Sequence, residues 1–245
     1  MVQARSEKAP ATRRALAKQQ TRQRLLAAAR KLVGERGYDA ATLRDVAALA
    51  DVSTGAVFAN FTDKADLFND VIVADLATLL EQFEAQAAND AAPRDALLDM
   101  LMLGYELHFE QLSLVKAQMG FGWSSDVAVA RQRDAVCAIL NALAEVLRNG
   151  VQAGFLSPSL DACLIAEMAW ESYLANYRHA IFDGWTLDQL RARMAAQLDI
   201  LLDGYEVAAR RDATVAWPVS VRGLEKSRRP NPASVGVLHP TALRG

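Results

Sequence analysis

The chain of 245 residues is poor in the features that announce most functional classes. Two cysteines, Cys137 and Cys163, stand far apart without a CxxC partner, which leaves neither a zinc ribbon nor a disulfide framework. Three histidines, His108, His179 and His239, have no cysteine or carboxylate at metal-ligand spacing, so no metal site is expected. Aromatic residues make up only 7%. No stretch approaches the ~20 uninterrupted apolar residues of a membrane helix. The richest, Leu97 to Phe109, is broken by Asp99, Gly104, Glu106 and His108. The basic, Ala-rich start carries no apolar segment of the kind found in secretory leaders, and a reducing cytoplasm is the expected location. Sustained alternation of apolar and polar residues is also missing, which argues against strands. Gly120-Phe-Gly122 lacks the third glycine of a dinucleotide fingerprint, and Ser124-Ser125 lacks the strand-turn-helix context of a nucleophile. No enzyme, cofactor or membrane partner is expected.

What is present is an uneven charge distribution behind a net charge of −2. Residues 1–64 hold 12 Lys/Arg against 6 Asp/Glu, residues 65–210 hold 9 against 21, and the last 35 hold 6 against 2. A basic head on an acidic body suits nucleic-acid contact at one end. The periodicity throughout is helical. Leu25, Ala29, Leu32 and Val33 recur on one face and Gly37 follows as a helix stop. Short helices are expected over 43–50 and 54–60, separated by Asp51-Val52-Ser53, and a long one over 63–88. Helices from Pro93, over 125–152, 160–182 and 187–208 complete the body, the last opened by Thr186 and Gln189 as a capping box. Past Arg210 the chain holds four of its seven prolines and loses periodicity, as a disordered tail would.

The chemistry concentrates in TLRDVAALADVSTGAVFANFTDKADLF, residues 42–68. Thr42 and Asp45 have capping-box spacing, and Ser53 can cap the next helix. Two short helices joined by a three- or four-residue turn form a helix-turn-helix, whose second member enters a major groove. If Asp63 caps the following helix and Asp66 occupies its third position, Lys64 falls at the first. An ammonium there is mildly unfavourable beside the helix dipole, and a phosphate would reverse the sign.

Residues 21–68, TRQRLLAAARKLVGERGYDAATLRDVAALADVSTGAVFANF then TDKADLF, resemble the DNA-binding domain of the tetracycline-repressor (TetR) family. More loosely, GFLSPSLDACLIAEMAWESYLANYR and DGWTLDQLRARMAAQLDILLDGY look like that family's last two helices, which pair in its dimer. The resemblance implies an all-α protein: a three-helix helix-turn-helix head at 21–68 after a flexible basic arm at 1–20, an effector-binding and dimerisation body at 69–210, and a tail at 211–245. It implies a homodimeric repressor of a palindromic double-stranded operator, released by a small-molecule effector. By family position, Thr42 and Lys64 contact phosphate and Arg44 reaches base edges, while Ser53, Thr54, Gly55 and Ala56 begin the recognition helix, with Phe58 and Asn60 near its end. Three positions depart from the family pattern. Asp51 stands where glycine is usual, Phe58 replaces a tyrosine and loses its hydroxyl, and Ala59-Asn60 replaces an aromatic-histidine pair.

For the effector, Met100, Leu103, Phe109, Met119, Trp123, Met168 and Tyr173 form the expected apolar, adaptable lining. Asp99, Glu106, Glu110, Glu167 and Glu171 flank it, which favours an apolar or lipophilic-cationic ligand. The stripe Leu187, Leu190, Met194, Leu198, Leu201 and Tyr205 is the expected dimer face. The rival reading is a helical small-molecule-binding or scaffold protein whose helix-turn-helix is a mere core corner. Steep loss of duplex affinity between about 50 and 200 mM salt discriminates the two.

Overall fold

The computed structural model describes residues 13–86, 91–121 and 127–207. The first twelve residues of the arm, Trp123 and the tail at 211–245 lie outside them. Among the described residues every regular element is helical: α1 (Arg13–Arg36), α2 (Leu43–Leu49), α3 (Thr54–Phe58), α4 (Lys64–Gln86), α5 (Pro93–His108), α6 (Leu112–Phe121), α7 (Val127–Gln152), α8 (Ala162–Asp183) and α9 (Leu187–Leu202). A single bridge, Leu156 to Glu206, lies outside them. A 3-10 turn, Phe109–Gln111, separates α5 from α6 and has no clear sequence signal.

The ends follow local chemistry. Gly37, at φ 79°, closes α1 in the left-handed region where a Cβ is costly, and its N–H bonds Val33 O at 2.9 Å. Helix α1 begins ahead of Thr21, because residues 13–20 hold good helix formers and no glycine or proline. Asp161 caps α8 by accepting from Cys163 N and Leu164 N, each at 3.1 Å. Thr186 and Gln189 form the reciprocal box at the start of α9. Each such cap is worth about 1 kcal/mol.

Two apolar clusters result. The head cluster joins Leu25 and Leu32 of α1 to Val46, Val57, Phe61, Phe68 and Val71, and takes Leu114 from α6 into the same core. The body cluster centres on Leu97, Leu101 and Tyr105 of α5, Leu143 and Leu147 of α7, Tyr173 of α8 and Leu198 of α9. Inside it three tyrosines close a polar chain. Tyr105 donates to Tyr173 O at 3.0 Å, the hydroxyls of Tyr173 and Tyr177 meet at 2.8 Å, and Tyr177 donates to Gly104 O at 2.9 Å. Burial pushes all three phenols above their ordinary pKa. Gly104 is required here, since a Cβ would fall on the Tyr173 hydroxyl.

Head and body are also tied by charge. Arg30 of α1 pairs with the buried Asp75 of α4, and His108, buried at the end of α5, belongs to the same electrostatic cluster. Burial drives the Asp75 carboxyl above its ordinary pKa against the opposing pull of Arg30. Burial likewise drives His108 below its ordinary value. Asp75 Oδ2 and His108 Nε2 have no hydrogen-bond partner.

The α9 stripe faces a different neighbour from the one expected. Leu190, Met194 and Leu198 are 0% exposed and sit in the protomer's own core, while Leu187, Leu201 and Tyr205 pack against its margin. The apolar residues that α8 and α9 leave in solvent are instead Leu164, Met168, Phe182 and Ile200. A stripe at 3.6-residue spacing identifies a buried face, not the chain that buries it.

Candidate nucleic-acid interface and effector region

Helix α2 begins in a complete capping box. Thr42 Oγ1 accepts from Asp45 N at 3.2 Å, and Asp45 Oδ2 accepts from Thr42 N at 3.3 Å. The Thr42 hydroxyl also bonds Asp45 Oδ2 at 2.7 Å, the leading reason that this carboxyl sits below its ordinary pKa. Helix α2 stops at Ala50 because Asp51 turns left-handed, at φ 51°. Asp and Asn bear that conformation better than other residues with a side chain. Ser53 then caps α3, accepting from Ala56 N at 3.1 Å. Val57, fully buried, and the half-buried Val52 anchor the turn to the head core.

Two arginines of α1 hold this unit, and the sequence reading missed both. Arg24 donates to the carbonyls of Ala50 and Asp51, satisfying acceptors that the end of α2 leaves open. Arg22 donates to Asn60 O at 3.1 Å, pairs with the buried Asp70 and lies over the Phe61 ring at 4.5 Å. One guanidinium therefore fixes the chain before α3 and the other the chain after it. Part of the basic charge of the head is structural.

Helix α4 starts as its spacing predicts. Asp66 N donates to Asp63 Oδ1 at 2.8 Å, Thr62 N donates to Asp66 Oδ2 at 3.0 Å, and Lys64 is the first helical residue. The Lys64 ammonium is steered by the head: it bonds Asp39 O at 3.2 Å and stands 4.1 Å from the centre of the Tyr38 ring. Of the expected contact residues, Thr42, Arg44, Ser53, Thr54, Gly55 and Phe58 are exposed, and Ala56 and Lys64 are half-buried. Asn60 turns inward. Its Nδ2 donates to Ala56 O at 2.8 Å and its Oδ1 is buried without a partner, so this amide is withdrawn from the exposed set. The i−4 carbonyl at the end of so short a helix needs a donor, and Asn60 is the nearest one.

Residues 25–71, which span this unit, match the family model described as bacterial regulatory proteins, tetR family. Residues 25–71 are a tetR-family DNA-binding domain. UidR, an HTH-type transcriptional regulator of Escherichia coli (strain K12), is 24% identical over 150 residues, 61% of this chain and 76% of UidR. KstR2, an HTH-type transcriptional repressor of Mycobacterium tuberculosis, is 23% identical over 151 residues, 58% of this chain and 72% of KstR2. Among solved structures, FadR from Bacillus subtilis in complex with stearoyl-CoA has a TM-score of 0.64 at 20% identity, covering 75% of this chain and 99% of its own. With this head, the chain is a DNA-binding transcriptional regulator of the helix-turn-helix type.

The effector residues expected in the body fall in three places. Met100 and Tyr173 are buried in the body core, with Leu103, Phe109 and Met119 half-buried against it. Met168 stands outside that group, 42% exposed, because five residues along a helix turn it about 140° from Tyr173. Trp123 lies outside the described residues. The five flanking acids do not point inward. Asp99 pairs at the surface with Arg191 at 2.8 Å, and Glu106, Glu110, Glu167 and Glu171 are exposed. The case for a cationic ligand drawn from them therefore falls. The carboxylates that are buried, Asp70 and Asp75, already have arginine partners. An open groove of about 590 Å³ runs along the last turns of α8, lined by Ala175, Arg178, His179, Phe182 and Asp183. No group of three or more His, Cys, Asp or Glu side chains among the described residues could hold a metal, and no described helix is long and apolar enough to cross a membrane.

Proposed function

We propose that this regulator is a homodimeric repressor that reads a palindromic operator and is released by a small-molecule effector. The observation that carries the DNA-reading part is the exposed α2–α3 unit, braced on both sides by Arg22 and Arg24 and capped by Ser53. One α3 of five residues offers few base contacts. Two copies related by a two-fold axis would engage half-sites about 34–36 Å apart, or a multiple of that. The exposed apolar residues of α8 and α9, Leu164, Met168, Phe182 and Ile200, suit a second copy. Thr42 and Lys64 serve as phosphate contacts, Arg44 as a bidentate donor to guanine, and Ser53 to Phe58 lie along the groove. Such a protein acts where the bacterial chromosome is, in the cytoplasm.

Repression follows the name of KstR2, and effector binding in a body of this fold follows the stearoyl-CoA complex of FadR. The coupling runs through elements shared by head and body. Leu114 of α6 is fully buried in the head core, and Arg30 reaches across to α4. A ligand that shifts α5 or α6 therefore moves the head. A hundredfold release needs about 2.7 kcal/mol of differential affinity.

Selection of bound fragments from genomic DNA, followed by binding as a function of salt, tests this reading. Affinity for the selected duplex is expected to fall by orders of magnitude between about 50 and 200 mM salt. Lys64→Ala is expected to weaken all duplexes about equally and to make the log–log salt slope shallower by roughly one unit. Arg44→Ala is expected to relax preference at particular base pairs instead. A Lys64 variant with an unchanged slope and altered preference would remove it from the phosphate contacts.

A further inference from the structure

The exposed surface of α3 is almost without hydrogen-bonding side chains. Base-discriminating hydrogen bonds in the major groove come from Arg, Lys, Asn, Gln, Asp or Glu, whereas a Ser or Thr hydroxyl bonds either kind of edge. Between Ser53 and Asn60 the only one of these is Asn60, and its amide is spent on Ala56 O. The Ser53 oxygen is engaged in capping the helix. What α3 and its end present to solvent is the methyl-bearing Thr54, the bare backbone of Gly55, the ring of Phe58 and the methyl of Ala59. Phe58 is 58% exposed, unusual for a phenylalanine. At Gly55 a Cβ would find only Ser53 Oγ at 3.8 Å, so the glycine is not demanded by packing inside the protein. Its lack of a side chain leaves the backbone free to approach a flat partner closely.

Only one base offers an apolar group in the major groove: thymine, through its 5-methyl. Phenylalanine, alanine and the threonine methyl are the side chains that meet it. We propose that α3 reads its operator by the thymine 5-methyl groups, with Phe58 as the principal specificity-determining residue and Ala59 and the Thr54 methyl as its neighbours. The inference rests on the proposed entry of α3 into the major groove. It divides the labour of the head. Arg44 and Lys64 supply charge and polar contact, while α3 selects by shape and by exclusion of water. A cytosine in place of a contacted thymine leaves Phe58 against a polar, hydrated edge.

The test uses the full-length protein and the duplex recovered by fragment selection, with single thymines replaced by uracil. That change removes the methyl and leaves base pairing intact. Affinity is expected to fall roughly fourfold for each contacted methyl, the worth of about one buried CH₂. Phe58→Ala should bind the thymine and uracil duplexes equally at one such position, whereas Lys64→Ala should keep the wild-type ratio. Phe58 is a surface residue, so the thermal midpoint of the variant should match that of the wild type. If every uracil duplex binds the wild type as the thymine duplex does, or if Phe58→Ala weakens both by one factor, methyl reading is overturned and the DNA-binding regulator stands. If no duplex is bound in a salt-dependent way, the entry of α3 into DNA fails and the inference goes with it.

Discussion

Replacing Arg30 by alanine is expected to lower stability by about 3 kcal/mol, because it strands the carboxylate of Asp75 in the interior. Asp75 is 8% exposed and its Oδ2 already lacks a partner, so losing the guanidinium removes the one hydrogen bond the structure gives this carboxylate. The loss belongs at the lower end of the range for buried pairs, since the Arg30 side chain is itself 31% exposed. The sign with pH is determined. Arg30 holds the pKa of both Asp75 and His108 down, so removing it lets both rise in the folded state. A group whose folded-state pKa is higher in the variant than in the wild type favours proton uptake by the variant's native state. The gap in stability between variant and wild type should therefore be widest at alkaline pH. It should narrow as pH falls through the raised pKa of each group. Urea unfolding across that interval measures it. Arg30→Met combined with Asp75→Leu should recover most of the loss; a double variant as unstable as the single would mean that the charge pair is not the cause.

The second large effect separates two faces of one helix. Ile200 is 76% exposed and Leu198, two residues earlier, is 0% exposed. Ile200→Glu is expected to leave the helical protomer folded and to abolish the proposed dimer, because the acid would appear twice in an apolar interface. Leu198→Glu puts an unpaired charge into the protomer core and should cost roughly 3–5 kcal/mol of folding stability. Sedimentation equilibrium beside circular dichroism distinguishes a folded monomer from an unfolded chain. An undiminished dimer for Ile200→Glu would place the interface elsewhere.

That pair of residues also shows where sequence reasoning loses its grip. In the head, sequence specifies structure locally: Thr42 with Asp45, Ser53 with Ala56 and Asp63 with Asp66 are all three residues apart, so the caps can be read directly. The two ion pairs that brace the head to α4 join residues 48 and 45 positions apart, and nothing in a local window announces them. The same limit governs the body. Met100 and Tyr173 have the composition of a ligand lining, yet their neighbours make them core. Five acids appeared able to face inward until the helices were placed, and all five are at the surface. Asn60 shows the converse, a residue of the right type turned away by a single carbonyl four residues earlier in the chain.

The contact between Gly104 and Tyr173 constrains how this lineage can change. Any side chain at 104 collides with Tyr173, and a phenylalanine at 173 would not relieve it, since the ring carbon that bears the hydroxyl is itself 2.9 Å from the added Cβ. Gly104→Ala, which on an isolated helix would gain about 1 kcal/mol, is thus closed while an aromatic ring occupies 173. The order of substitutions is forced: position 173 must shrink first, and that step opens a cavity and takes a hydroxyl from Tyr177. Each change alone is harmful and the two together are tolerable, the pattern of reciprocal sign epistasis. Related regulators should therefore carry small residues at 104 wherever 173 is aromatic, and the two positions should turn over as a pair.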